Sequence, residues 1–142
     1  MSAPSLPTLS PERQAKFDAT LKANASRSKA LQQDMPFGVH EQARSELQSG
    51  AVQVKGIVIV AESRKETVIR FENLAVPFFP DLVVALAADP QGTDAVDFLE
   101  LRAIKGHVNH MKRGSIDLQK YPYVLIRSKE YGVVFGYALL LK

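Results

Sequence analysis

The closing stretch of the chain, residues 120–142, constrains the fold most strongly, because its pattern is that of two β-strands joined by a tight turn. In the first strand, Val124 and Ile126 are predicted to face one way and Leu125 the other, since strand side chains alternate between faces. In the second, one face is predicted to carry Val133, Phe135, Tyr137, Leu139 and Leu141. Gly132 stands in the turn, where positive φ is often needed. Because an isolated hairpin is marginally stable, earlier segments must supply more strands.

The segments before this hairpin have the pattern of further short strands. Apolar or alternating runs lie at 51–60, 67–74, 81–88, 96–104 and 116–118. Short strands at about 8–12-residue spacing, with turn residues between them, are typical of an antiparallel sandwich or barrel. Hydrophobic residues make up 46% of the 142 residues, which is enough for one buried core. We therefore predict a mainly β protein, with an antiparallel β-sandwich or flattened barrel over residues 48–142.

The first third of the chain has a different pattern. Residues 1–9 contain two prolines and are predicted to form a flexible tail. Ser10 is suited to cap a helix and Pro11 to occupy its first position, so a helix is predicted from there to about Gln33. The sequence thus predicts an N-terminal helical extension in front of the sandwich.

This helical extension is predicted to cover residues 10–47, with a second short helix at 40–48. The apolar stripe of the first helix is narrow and rich in alanine, with Phe17 as its largest member. Such a stripe docks weakly on its own domain or pairs with a second copy of the chain. A homodimer through this helix is one expectation, and the sandwich is expected to fold without residues 1–35.

Composition excludes several classes of function. The net charge is +3, which is too mild to favour nucleic acid as a partner. No run approaches the ~20 apolar residues of a membrane span, and the N-terminus lacks the apolar core of a signal peptide, so the chain as written is expected to be cytoplasmic. The chain has no cysteine, which excludes disulfides, thiol chemistry and thiolate metal sites.

The strand segments also follow one another in an order found in a known family. They are Gly50 with the alternating strand after it, then 68–74, 80–86, 101–106 with Asn109, 117–121, 124–126 and 131–139. Over about residues 48–141 the chain resembles the DM-thirteen domain, an electron-transfer domain. The resemblance implies a β-sandwich related to the DOMON type. It also implies a protein that is exported or lies at the cell surface.

The chain departs from the family at the position that matters for redox chemistry. The resemblance implies a tryptophan–cysteine pair in the first strand of the closing hairpin, and here Arg127 and Ser128 stand in its place. A serine hydroxyl cannot cycle through thiolate, sulfenic or disulfide states. The fold can be shared without the chemistry, because function depends on the site. Thiol electron transfer is therefore not expected.

The preferred function is a non-catalytic binding or interaction module for an unidentified protein or small molecule, with no cofactor. Phe78 and Phe79 lie between two prolines on a predicted loop at one end of the sandwich, where exposed aromatic rings make contact sites. The other interpretation is that one of them plugs the end of the core, and at least one is expected to be buried. Arg127 and Ser128 complete the predicted contact residues.

The alternative function is a redox or cofactor-carrying protein that binds haem or a metal through His107, His110 and Met111. Imidazole and thioether groups suit a soft metal or an iron centre. However, residues three apart share one side only in a helix, and further ligands at a recognisable spacing are missing. The other interpretation is that these histidines belong to an ordinary polar connection at 105–115. No nucleophile and base occur in a pattern that favours an enzyme.

Overall fold

The computed structural model describes residues 8–141, which form two five-stranded sheets packed face to face and one helix. In chain order the elements are α1 (Pro11–Ala23), β1 (Ala30–Gln32), β2 (His40–Glu46), β3 (Gln48–Ser49), β4 (Lys55–Glu62), β5 (Glu66–Ala75), β6 (Leu82–Ala87), β7 (Val96–Glu100), β8 (Lys105–Arg113), β9 (Tyr123–Ser128) and β10 (Val134–Leu139). Sheet A has the order β1-β8-β5-β4-β2, and sheet B the order β3-β10-β9-β6-β7. The predicted β-sandwich with an N-terminal helix is confirmed.

The main core lies between the two sheets. Its fully buried members include Val58, Val60, Ile69 and Phe71 from sheet A, and Val84, Val124, Ile126 and Phe135 from sheet B. Val124 and Ile126 share one face of β9, as predicted, and it is the face toward the core, whereas Leu125 lies in a smaller cluster on the other face of sheet B. Every residue of β6 is buried, as its unbroken apolar run predicts for a strand covered on both faces.

Strand β10 departs from its predicted alternation at a β-bulge. Its register with β9 shifts just before Gly136. Because an extra residue in one strand reverses which side chains face the core, the alternation changes there. Val133 and Phe135 share one face, as predicted, and both lie in the core, but the prediction fails beyond Phe135. The core residues after the bulge are Ala138 and Leu140, in place of Tyr137, Leu139 and Leu141.

Helix α1 begins where the sequence predicts. Ser10 is its N-cap, and the Ser10 hydroxyl accepts a hydrogen bond of 3.3 Å from the backbone N–H of Arg13. The helix ends at Ala23, so the prediction that it runs to about Gln33 is wrong. Within residues 8–141, no helix has the length and the apolar run that crossing a bilayer demands. Most of the predicted tail lies outside the described residues.

The predicted second helix at 40–48 is also wrong. These residues form β2, which pairs antiparallel with β4, and β3 follows it. The segment is rich in good helix formers, but pairing with a neighbouring strand overrides local propensity. The helical extension predicted for residues 10–47 is therefore limited to α1, and β1, β2 and the link between them belong to the sandwich.

Two further segments differ from their predictions. The polar connection predicted at 105–115 is mostly β8, which lies between β1 and β5 in sheet A. Its pairing with β1 is parallel. The strand predicted at 116–118 is not present, because that stretch leads into a turn. A strand that contains many polar residues lacks the apolar alternation by which a strand is predicted. Such residues can still be buried in a sheet when distant parts of the chain satisfy their hydrogen bonds.

Residues 33–39, which we call the strap, cross the outer face of sheet A. They join β1 at one edge of the sheet to β2 at the opposite edge. Arg70 is only 5% exposed, and its guanidinium donates to the Gln33 carbonyl at 2.7 Å and to Asn109 Oδ1 at 2.8 Å. The Asn109 amide in turn donates to the Asp34 carbonyl at 2.7 Å. These bonds fix the strap to the sheet.

Candidate functional site

A cleft of about 440 Å³ opens at one end of the sandwich. Four connecting segments form it: the link after α1, the β5–β6 loop, the β7–β8 loop and the β9–β10 turn. Its polar and aromatic lining consists of Arg27, Lys29, Phe78, Phe79, Asp81, Glu100, Arg102 and Lys129. We call it the basic cleft. It contains the two phenylalanines that the sequence singled out.

Phe78 and Phe79 have different surroundings. Phe79 is only 4% exposed, and its ring lies 4.9 Å from that of Phe17, 5.5 Å from that of Phe135 and 5.9 Å from that of Tyr131, between centroids. Phe78 is half-buried and forms part of the cleft wall. The prediction that at least one of them is buried is confirmed. Phe79 plugs the end of the core, and Phe78 faces the cleft.

Arg27 lies against the exposed side of this wall. Its guanidinium carbon is 4.7 Å from the centre of the Phe78 ring, within the range of a cation–π contact. The Arg27 guanidinium also donates to Asn24 Oδ1 at 3.3 Å, just after the end of α1. The cleft therefore has a flat wall in which a positive charge is held over an aromatic ring.

Asp81 and Ser128 hold the β9–β10 turn in place beside the cleft. The buried Ser128 hydroxyl donates to Asp81 Oδ1 at 2.9 Å and accepts from the backbone N–H of Tyr131 at 3.2 Å. The other carboxylate oxygen of Asp81 accepts from the backbone N–H of Glu130 at 2.6 Å. Ser128 thus supports the turn that carries Lys129, and it does not line the cleft.

The charges of the basic cleft are not balanced. Arg27, Lys29, Arg102 and Lys129 line it together with two acidic residues, Asp81 and Glu100, so the excess is two positive charges. The Arg102 guanidinium also donates to Gln33 Oε1 at 3.3 Å and to the Asn109 carbonyl at 3.1 Å. Across residues 8–141, none of these four cationic side chains forms a salt bridge. Both carboxylate oxygens of Asp81 already accept hydrogen bonds from the turn. The cleft is therefore suited to attract an anion.

A buried histidine positions the β7–β8 loop of the cleft. His110 Nε2 accepts from the backbone N–H of Arg102 at 3.1 Å, and Nδ1 lies 3.3 Å from the Ile69 carbonyl oxygen. A neutral imidazole protonated on Nδ1 satisfies both contacts. Burial lowers the pKa of His110 to about 4, with the bond to Ile69 opposing this shift and the charge of Arg102 adding to it. His110 therefore has a structural role.

The structure does not bring the alternative ligand set together. His110 faces the core, whereas His107 and Met111 lie an odd number of residues away on β8 and face the other side. His107 Nδ1 accepts from the backbone N–H of Asn73 at 3.2 Å. Among residues 8–141, no three histidine, aspartate or glutamate side chains lie close enough to hold a metal ion. The interpretation as loop histidines is wrong as well, since both lie in a strand.

Arg127 lies apart from the basic cleft. Its guanidinium pairs with Asp97 at 2.9 Å on the outer side of sheet B. The sequence pattern did not identify Arg27, Lys29, Arg102 or Lys129 as site residues. Arg27 and Lys29 lie in the link after α1, Arg102 in the β7–β8 loop and Lys129 in the β9–β10 turn. These segments come together only in the folded protein, so no local pattern indicates the site.

Comparisons with protein-family models, with curated proteins and with solved structures found no match to this chain. The resemblance to the DM-thirteen family therefore stays a prediction. Two observations remain for a functional argument: the β-sandwich, and the cationic, aromatic cleft at its end.

Proposed function

We propose that the protein is a non-catalytic binding module whose basic cleft takes a small anionic ligand with a flat apolar part. The observation that carries this proposal is the Arg27 guanidinium held 4.7 Å above the Phe78 ring, next to three more cations. Guanidinium and ammonium groups bind carboxylate and phosphate through charge-assisted hydrogen bonds. The half-buried Phe78 ring and the planar Arg27 guanidinium over it favour a ligand that presents a ring or another flat surface beside its charge.

The lining of the cleft supports binding in preference to catalysis. It contains no serine, cysteine or histidine among the described residues, so a hydroxyl or thiol nucleophile with a neighbouring base is missing. Both carboxylate oxygens of Asp81 accept hydrogen bonds from the β9–β10 turn, and Glu100 is exposed to solvent. A general base needs a partner within hydrogen-bond reach, and the arrangement offers none.

Two earlier expectations are not part of this proposal. Phe17, the largest residue in the apolar stripe of α1, packs inside its own chain, so we do not propose a homodimer through that helix. We keep kinship with the DM-thirteen family as a proposal for the fold alone. The position of the family's cysteine holds the buried Ser128, whose hydroxyl has a structural partner.

The proposal is tested by titrating the protein with phenyl phosphate, inorganic phosphate and phenol, followed by NMR of the backbone amides. We expect phenyl phosphate to bind more tightly than either of its parts, with shifts at the β7–β8 loop and the β9–β10 turn. Lys129→Met and Phe78→Ala should each weaken binding at least fivefold. Lys65→Met, in the exposed β4–β5 turn, is the matched control and should leave binding unchanged. Shifts that do not saturate, or an equal loss in the control, would contradict the proposal.

A further inference from the structure

A second cleft, of about 460 Å³, lies between the start of β7, the end of β8 and the segment that connects β8 to β9. Its floor is apolar. Leu86 and Phe98 are 5% and 6% exposed at the bottom, and Ile116 and Tyr121 are partly buried on the side. The floor joins the main core, so an apolar group in the cleft would extend that core outward. We call this the apolar cleft.

Cationic side chains surround the apolar cleft. Lys112 Nζ lies 5.7 Å from the centre of the Phe98 ring and donates to the Phe98 carbonyl at 3.4 Å. Lys120 Nζ lies 5.3 Å from the centre of the Tyr121 ring. Arg113 lines the same opening and is exposed. In the part of the chain that the structure describes, these three cations form no salt bridge.

The carboxylates beside the apolar cleft already have partners. Asp97 pairs with Arg127 at 2.9 Å. Asp117 Oδ1 accepts from the backbone N–H groups of Gln119 at 3.0 Å and Lys120 at 3.2 Å, which holds the turn before β9. The rim is therefore cationic and the floor apolar, a combination that complements a ligand with a charged head and a hydrocarbon tail.

We propose that the apolar cleft binds an amphipathic carboxylate, specifically a medium-chain fatty acid. Its hydrocarbon chain lies on Phe98 and Tyr121, and its carboxylate accepts hydrogen bonds from the ammonium groups of Lys112 and Lys120. Both lysines rest over aromatic rings, from which a short rotation brings them to a bound carboxylate. This site is separate from the basic cleft, and its ligand differs from the compact anion proposed there.

The test measures binding of octanoate, decanoate and 1-octanol by calorimetry at pH 7, below their micelle concentrations. We expect octanoate to bind at a single site and decanoate about fifteenfold more tightly, because each buried CH₂ group contributes about fourfold. The neutral 1-octanol should bind at least tenfold more weakly than octanoate. Lys112→Met, which keeps the apolar stem, should weaken octanoate binding at least fivefold, and the double variant with Lys120→Met should weaken it further.

Lys22→Met, at the exposed end of α1, is the matched control and should bind octanoate as the unchanged protein does. Thermal unfolding of each variant confirms that its fold is kept. Equal affinity for octanoate and 1-octanol, no gain with chain length, or unchanged binding by Lys112→Met would each overturn the proposal. Displacement of octanoate by phenyl phosphate would overturn it too, because it would place the fatty acid in the basic cleft.

Discussion

The Phe17 ring of α1 stacks on the Phe79 ring of the β5–β6 loop, with their centroids 4.9 Å apart and their planes 28° from parallel. Phe135 and Tyr131 of the closing hairpin meet the Phe17 ring edge-on. The helix thereby closes the end of the core at the aromatic plug beside the basic cleft. Phe78 of the cleft wall directly precedes Phe79 in the chain, so the position of Phe78 depends on the docking of the helix.

Phe17→Ala should lower the free energy of unfolding by about 3–5 kcal/mol, because the lost ring is 2% exposed and leaves a cavity among three aromatic neighbours. Urea denaturation followed by circular dichroism measures this change. The exposed neighbour Lys16 provides the control, since Lys16→Ala should have little effect. A loss below about 1 kcal/mol in Phe17→Ala would show that the helix is only loosely attached.

The stability of the protein should decrease as the pH falls from 6.5 to 4. The unfolded His110 imidazole takes up a proton near pH 6.5, whereas the folded one does so only near pH 4, so protons favour the unfolded state within this window. The full effect corresponds to about 3 kcal/mol. It is present above pH 6.5 and fully lost below pH 4.

His110→Leu removes the group that titrates in this window. The variant should be less stable at pH 7, because the backbone N–H of Arg102 loses its acceptor. Between pH 6.5 and pH 4, the free energy of unfolding should fall by about 2–3 kcal/mol less in the variant than in the unchanged protein. Parallel pH profiles from urea denaturation of the two proteins would contradict the role given to His110.

Gly106 is required where β8 pairs with β1. Its φ is +98°, and a Cβ atom at this position would overlap the carbonyl oxygen of Leu31 in β1. Gly106→Ala should therefore break the parallel pairing and lower the free energy of unfolding by at least about 3 kcal/mol. Amide hydrogen exchange should rise at Gln33, whose N–H donates to the His107 carbonyl.

The control for Gly106 is Gly114, at the end of the same strand. Its φ is +100°, and a Cβ atom there would meet nothing within 4 Å. Gly114→Ala should therefore lower the free energy of unfolding by only about 1–2 kcal/mol, which is the cost of a left-handed backbone conformation for alanine. If the two variants are equally stable, the close approach of Leu31 to Gly106 does not matter for the fold.

Arg70→Met should release the strap from sheet A. It leaves the Gln33 carbonyl and Asn109 Oδ1 without the donor that each now has, and unsatisfied buried acceptors are costly. Because the change also breaks the ion pair between Arg70 and Glu72 at 2.9 Å, we expect the free energy of unfolding to fall by about 3–5 kcal/mol. Proteolysis within residues 33–39 should become faster under native conditions. Arg44→Met, which removes an exposed ion pair with Glu41 on β2, should change neither quantity appreciably.

The strands that the sequence predicted are those whose own side chains fill the core. Residues of β6 and β9 are mostly apolar and buried, so the local pattern of apolar residues was enough to predict both strands. In contrast, β2 has a single fully buried residue, Ala43, and it becomes a strand through its pairing with β4. In β8, the buried side chains of Asn109 and His110 have partners about 40 residues away in the chain, Arg70 and the Ile69 carbonyl, which no local pattern reveals.

The sequence did not indicate how the N-terminal segment joins the sandwich or which cations meet at the basic cleft. The narrow stripe of α1 suggested a dispensable arm, yet residues 1–35 include the buried Phe17, all of β1 and part of the strap. Flanking prolines identified Phe78 and Phe79 correctly as a loop pair. The cations around them come from three separate segments, which approach one another only in the folded protein.

The docking of α1 also sets the order of events during protein synthesis. The Arg13 side chain donates to the Glu130 carbonyl, 117 residues further along the chain. The helix therefore emerges from the ribosome long before the closing hairpin on which it docks has been synthesised. Until then the Phe17 ring is exposed to water. A nascent chain halted before Tyr131 should leave this ring available to a chaperone, and the completed hairpin should then withdraw it.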